Sequence, residues 1–161
     1  MDLENKQRLK IYIELEQHIA IISKNYYFLD DILLQLQNEN LIFTIDLTNI
    51  NSIPMLTIEY AKILGLCDVG KDDINEVLNA VEQLAVEKNK KAIVVFYNFD
   101  MIYKFGEDII KKMRSIFQIH KNTVYIFAGS QASIMNTIFL DKDNAFFYFA
   151  SVMNFSGPKI Q

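Results

Sequence analysis

Short, unbroken apolar runs alternate along this chain with segments of helical spacing, and that alternation is what most restricts the folds open to it. Ile19-Ala20-Ile21-Ile22 and Ala92 to Tyr97 are continuous apolar stretches of strand length, and Leu41 to Leu47 and Thr123 to Phe127 are largely apolar ones. A strand with one wet face would alternate apolar and polar residues, so runs of this kind belong to strands covered on both sides. Between them lie helical segments. Ile74, Val77, Leu78, Val81, Leu84 and Ala85 recur at spacings of three and four, as do Phe105, Ile109, Met113, Ile116 and Phe117 in a segment from about 106 to 119. Further helices are expected over 55 to 66, with Pro54 near the start, and over 131 to 140. A helix carried by Ile32, Leu33, Leu34 and Leu36 is expected to open at Asp30 and Asp31, and a last strand to lie within Phe146 to Phe155. The N-terminal segment 1–18 is more ambiguous. Leu9, Ile11, Ile13 and Leu15 alternate as in a strand, but the surrounding Glu, Lys and Gln favour a helix over 3 to 17. Strand and helix in alternation imply right-handed crossovers, and so an α/β three-layer sandwich with a mostly parallel five-stranded sheet.

With 161 residues and no evident linker or repeat, the chain reads as a single domain, 1–161. A hydrophobic fraction of 51% with a net charge of -4 is a folding composition, and the acidic balance weighs against nucleic acid as a partner. The clusters Lys88-Asn89-Lys90-Lys91 and Lys111-Lys112-Met113-Arg114 read as solvated faces. Cys67, the one cysteine, cannot form an internal disulfide, and no set of residues has metal-ligand spacing. Met1-Asp2-Leu3-Glu4 has neither the basic start nor the apolar run of an export signal, and no stretch is long and apolar enough to span a membrane. A cytoplasmic setting is the natural expectation.

Three stretches carry a resemblance: Met113 to His120, Val124-Tyr125-Ile126-Phe127-Ala128-Gly129-Ser130-Gln131, and Ile134-Met135-Asn136-Thr137-Ile138-Phe139. They are similar to the Arg-Ser helix, the strand ending in Gly-Ser-Gln and the following helix of the archaeal-type AAA+ ATPases, a P-loop NTPase family. Weaker echoes lie in Ile45 to Ile50 and around Ala145-Phe146-Phe147, so the resemblance spans roughly residues 15 to 160.

That resemblance implies a phosphate loop after the first strand, at about Ser23 to Asp31. The family pattern GxxxxGK[ST] turns backbone N–H groups, a lysine and a hydroxyl toward phosphate and magnesium. This chain has Ser23-Lys24-Asn25-Tyr26-Tyr27-Phe28-Leu29-Asp30-Asp31, with Phe28, Leu29 and Asp30 matching Gly-Lys-Thr. Asp30 and Asp31 are expected to cap the helix start and to repel phosphate from it. At the end of the third strand, Tyr97 and Asn98 stand where the family has the Asp and Glu of its acidic motif. A phenol is a poor magnesium ligand and an amide is no general base. Asp100, in register with the next family residue, is a weak substitute. Sensor-like Ser130 is better read as a cap of the next helix, with Gly129 giving a tight exit.

No catalytic residue, cofactor or metal is therefore expected. The reading is a non-catalytic, P-loop-ATPase-like domain that binds another protein, an intact ATPase or a second copy of itself. The alternative is a residual nucleotide binder, or an ATPase subunit completed by a partner. The aromatic C-terminal region, Phe146, Phe147, Tyr148, Phe149 and Phe155, is the candidate surface if it is not spent on the core. The chain ends at Gly157-Pro158-Lys159-Ile160-Gln161, where the family continues into a helical lid, which further lowers the expectation of an ATP-driven cycle. Arg114 reads as solvated or packing, and His18 and His120 as residues of the core edge or surface. A phospho-receiver built on Asp46, Asp100 and a lysine is not supported, since no acidic pair follows Ile19 to Ile22, and Ile45-Asp46-Leu47-Thr48 alone is poor evidence for an anti-sigma-antagonist strand.

Overall fold

In the computed structural model, which describes residues 3–66 and 73–155, five strands form one sheet in the order β2-β3-β4-β1-β5. The strands are β1 (Ile19–Ile22), β2 (Asn40–Asp46), β3 (Lys91–Tyr97), β4 (Thr123–Gly129) and β5 (Ser151–Asn154). Every pairing is parallel, with Ile19 opposite Ile126 and Ser151, Asn40 opposite Lys91, and Ala92 opposite Thr123. The helices are α1 (Leu3–Glu14), α2 (Tyr27–Leu36), α3 (Ile53–Ile63), α4 (Ile74–Lys88), α5 (Glu107–Phe117) and α6 (Ala132–Leu140). A 3-10 helix, Phe99–Phe105, links β3 to α5.

The period-two rule divides the strand residues between two cores. Ala20, Ile22, Val94, Phe96, Tyr125 and Phe127 face α3, α4, α5 and α6, while Ile19, Ile21, Ile93, Val95, Ile126 and Ala128 face α1 and α2. Both faces are thus covered, which is why the central strands read as unbroken apolar runs. The larger core is aromatic. Phe96, Phe99, Phe117, Phe127, Phe139 and Phe146 are fully buried, with Phe99 packed 4.6 Å from Phe127 and edge-on to Phe146 at 5.6 Å between ring centroids.

Local chemistry sets the helix ends. Ser52 Oγ accepts from Met55 N at 3.2 Å to start α3, and Asp73 accepts from Glu76 N at 3.0 Å to start α4. Asn89 ends α4 in the left-handed region at φ 50°. Two expectations need correction. α2 opens at Tyr27, not at Asp30, because the Tyr26 carbonyl already accepts from Leu29 N and Asp30 N at 3.0 and 3.1 Å. The 3-10 helix was not anticipated, since Asp100, Tyr103 and Lys104 interrupt its apolar spacing. Met1, Asp2, Cys67, Gly70, Asp72 and the ending from Gly157 to Gln161 lie outside the described residues. Among the described residues no helix is long and apolar enough to cross a membrane.

Candidate functional site

The chain changes sheet faces at β1: α2 leaves it toward one face, whereas the helices that follow β2, β3 and β4 cover the other. Clefts outside the carboxyl ends of parallel strands, next to such a change, are where open α/β sheets bind ligands. A pocket of about 370 Å³ lies there, lined by Asn25, Tyr26, Tyr27, Asp30, Asp46 and Tyr97.

The connection that forms one wall is short. From the end of β1 to the first turn of α2 only Ser23 to Tyr26 intervene, and Ser23 N donates to Gly129 O at 3.0 Å, tying the link to β4. Among the described residues no position from Ser23 to Asp31 has the positive φ used by an anion nest. Lys24 is exposed; Phe28 and Leu29 are buried in the smaller core, where Phe28 packs edge-on to Phe155 at 5.4 Å. Asp30 and Asp31 were expected to cap α2, and neither does. The helix begins three residues before Asp30, so Asp30 Oδ1 instead accepts from the Tyr97 hydroxyl at 2.5 Å, and Asp31 sits 4.0 Å from Lys6.

Asn98 joins the other wall. It adopts φ 57°, and this turn aims its amide at two neighbours: Nδ2 donates to Asp46 Oδ1 and to Thr48 Oγ1, both at 2.9 Å. Tyr26 donates back to Asn98 Oδ1 at 3.3 Å. Asp46 Oδ1 also accepts from Thr48 N at 2.9 Å and Thr48 Oγ1 at 2.7 Å, while Lys104 Nζ reaches the Leu47 and Thr48 carbonyls. Burial opposes ionisation of Asp46, but the bonds from Asn98 and Thr48, with Lys104 nearby, outweigh it and hold the carboxyl below its usual range. Tyr97 is driven the other way: burial first, then its bond to Asp30, raise the phenol well above its ordinary value. At neutral pH Asp46 is therefore a carboxylate and Tyr97 a neutral phenol.

Of the residues named by the sequence, Tyr97 thus meets Asp30 and Asn98 meets Asp46, but Ser130 does not line the pocket and is exposed. Ser130 does not cap α6. Gln131 holds that position, and the donors Ser130 N and Gln131 N go to buried Asp100 Oδ2 at 3.3 and 3.0 Å. Asp100 is therefore a helix-terminus acceptor supplied from the 3-10 helix. Gly129 is fixed by close approach, since a Cβ there would lie 2.6 Å from Met135 Sδ and 3.2 Å from Asp100 Cγ. Asp100→Ala leaves both N–H groups without their charged acceptor and is expected to cost about 2 kcal/mol, read by urea unfolding. Asp46, Thr48 and Lys104 were not singled out as site residues. The polar Asp-x-Thr exit from an apolar strand was the available signal.

At the opposite end of the sheet His18 and His120 are brought together by Tyr125. Tyr125 N donates to His18 Nδ1 at 3.0 Å; its hydroxyl lies 2.6 Å from His120 Nδ1, whose other nitrogen is 3.1 Å from Asn79 Oδ1. His120 is buried, a correction to a surface or edge placement. Arg114 packs over the Phe149 ring at 4.5 Å. The aromatic C-terminal region is divided: Phe146 is fully buried, whereas Tyr148 is 81% exposed at φ 58° and stacks on Phe147 at 4.0 Å. Among the described residues no group of three His, Cys, Asp or Glu is placed to hold a metal ion.

No family model matches the sequence, and no curated protein is similar to it. Solved structures are. The Walker-type ATPase PABY2304 of Pyrococcus abyssi aligns with a TM-score of 0.70 and 14% identity over 94% of this chain and 52% of its own. Cdc6p from Pyrobaculum aerophilum aligns with a TM-score of 0.67 and 12% identity over 94% of this chain and 44% of its own. A chain of Drosophila ORC bound to DNA gives 0.62 and 9%, covering 98% of this chain and 91% of that one. The fold is therefore like that of these Walker-type and Cdc6/ORC ATPase structures. This chain spans about half the length of the first two structures.

Proposed function

We infer that the chain is a non-catalytic, P-loop-ATPase-like domain that works as a protein-interaction or regulatory module. The observation that carries this reading is the network at the carboxyl ends of β1, β2 and β3. A triphosphate placed there would meet Asp30 and Asp46 across the Tyr26, Tyr27 and Tyr97 rings, on a four-residue link without left-handed turns. Like charges and bulky rings disfavour a polyanion, and Tyr97 and Asn98 supply neither a metal ligand of ordinary strength nor a base. The similar ATPase structures bear on the fold alone, and one fold supports many functions. A protein partner fits an acidic domain whose exposed side chains include Tyr27, Leu34, Leu140 and Tyr148.

Thermal unfolding with Mg-ATP tests the reading. A ligand at a hundredfold its Kd stabilises a protein by about 2.7 kcal/mol, a shift of several degrees. We expect no saturable shift up to millimolar Mg-ATP. Saturable stabilisation at micromolar nucleotide would instead support a residual nucleotide binder.

A further inference from the structure

Building on the protein-interaction reading, we propose that the pocket between β1, β2 and β3 receives the guanidinium group of an arginine side chain from a protein partner. Its walls are Tyr26, Tyr27 and Tyr97, and Asp30 and Asp46 lie among them. Among the described residues no Lys or Arg lines it. Lys104, close to Asp46, is turned onto the Leu47 and Thr48 carbonyls. The site therefore combines aromatic faces with two acidic side chains that make no ion pair among the described residues, although Lys104 offsets part of the Asp46 charge, and rings and acids attract a cation by separate mechanisms: the rings through their quadrupoles, the acids through charge.

Both carboxylates are also oriented. The recorded bonds of Asp30 and Asp46 all fall on Oδ1, from Tyr97 in one case and from Thr48 and Asn98 in the other, so among the described residues Oδ2 of each has no protein donor. The protein has thus fixed the acids without using up their acceptors, which lowers the ordering cost of a ligand. Burial first, then the charges of Asp100 and Asp46, push the Tyr26 phenol up to about 12. Tyr26 and Tyr97 lie 5.2 Å apart between ring centroids and are tilted by 50°, so they form a wedge and not a parallel slot. A guanidinium fits this chemistry better than an ammonium, being planar, weakly hydrated and able to lie on a ring while its edge N–H groups reach a carboxylate. A volume of about 370 Å³ holds such a group and its methylene stem.

The test is titration of the full chain with N-acetyl-arginine methylamide, and with the neutral citrulline analogue, following the ring signals of Tyr26, Tyr27 and Tyr97 by NMR. We expect saturable millimolar binding of the arginine probe, with affinity at least about tenfold weaker for citrulline and about tenfold weaker in D30N. Asp30 is exposed and Asn retains an acceptor for Tyr97, so this variant keeps the fold; a thermal-unfolding midpoint equal to that of the parent checks it. No ring shift with the arginine probe, equal binding of citrulline, or undiminished binding by a D30N/D46N variant overturns the proposal. Its failure is distinct from that of the functional reading: an arginine probe that does not bind removes the cation pocket alone, whereas micromolar Mg-ATP binding removes the non-catalytic assignment.

Discussion

Replacing Phe99 with alanine is expected to destabilise the protein by about 3–5 kcal/mol, lowering the unfolding midpoint by roughly 10 °C for a chain of this size. Phe99 is fully buried and touches more of the aromatic core than its place in a short 3-10 helix would imply. Its ring lies 5.6 Å from Phe96, 4.6 Å from Phe127, 5.9 Å from Phe139 and 5.6 Å from Phe146. Truncation removes the buried area and leaves a cavity that four aromatic neighbours on β3, β4, α6 and the segment after it cannot all close. The effect should also reach the pocket. Phe99 pins the turn between Asn98, which bridges Asp46 and Thr48, and Asp100, which holds the start of α6. Urea unfolding with and without the variant gives the stability loss. The ring signals of Tyr26 and Tyr97 should shift in the folded variant. A loss below about 1 kcal/mol would show that the core closes over the gap.

That turn also marks the boundary of what the residues alone disclose. Ile19 to Ile22 and Ala92 to Tyr97 announce covered strands because every position is apolar, and α4 is plain because Val77, Leu78, Val81 and Ala85 share one face. Topology follows from their alternation. Caps are different, since a side-chain acceptor need not be near its helix in sequence. Asp100 serves a helix start thirty-one residues on, and the nearer Ser130 does not. Asp30 looks like a helix cap because it precedes a run of Ile and Leu, but Tyr27, Phe28 and Leu29 are themselves helical, and only the tertiary meeting with Tyr97 gives Asp30 its partner. Of the pocket, the residue types at Tyr26, Tyr27, Asp30 and Tyr97 were legible. Its construction was not, because Asn98 works through a left-handed backbone turn that no composition of neighbouring residues required. The His18–Tyr125–His120 arrangement was likewise hidden, as its members are linked by strand packing and not by spacing.

Acid should destabilise the protein before its carboxylates titrate, and His18 is the main reason. Burial, then the charges of Arg114 and His120, lower its pKa from 6.5 to about 4. The geometry agrees with that direction: Nδ1 accepts the Tyr125 backbone N–H, and the ring stacks on Phe149 at 4.4 Å with an interplanar angle of 10°. Protonation would put a second hydrogen where an acceptor is needed. Because the folded pKa lies below the unfolded one, the unfolded chain binds more protons between pH 6.5 and about 4, so the stabilising contribution is complete above 6.5 and is lost as pH falls toward 4. At about 1.4 kcal/mol per pH unit, the full loss is about 3 kcal/mol. His120, also lowered by its burial, adds in the same direction, with Glu82 opposing part of that shift. Asp46 and Glu82 are held below their ordinary values of 3.8 and 4.5 by hydrogen bonds that outweigh burial, so their contributions fade at lower pH and leave a separable window. Urea unfolding from pH 7.5 to 4.5 should show the decline. His18→Asn, whose side-chain oxygen can accept from Tyr125 N without titrating, should start less stable and flatten the curve. An unchanged slope in that variant would move the acid sensitivity away from His18 and onto His120, whose hydroxyl contact with Tyr125 would then be the pair to break.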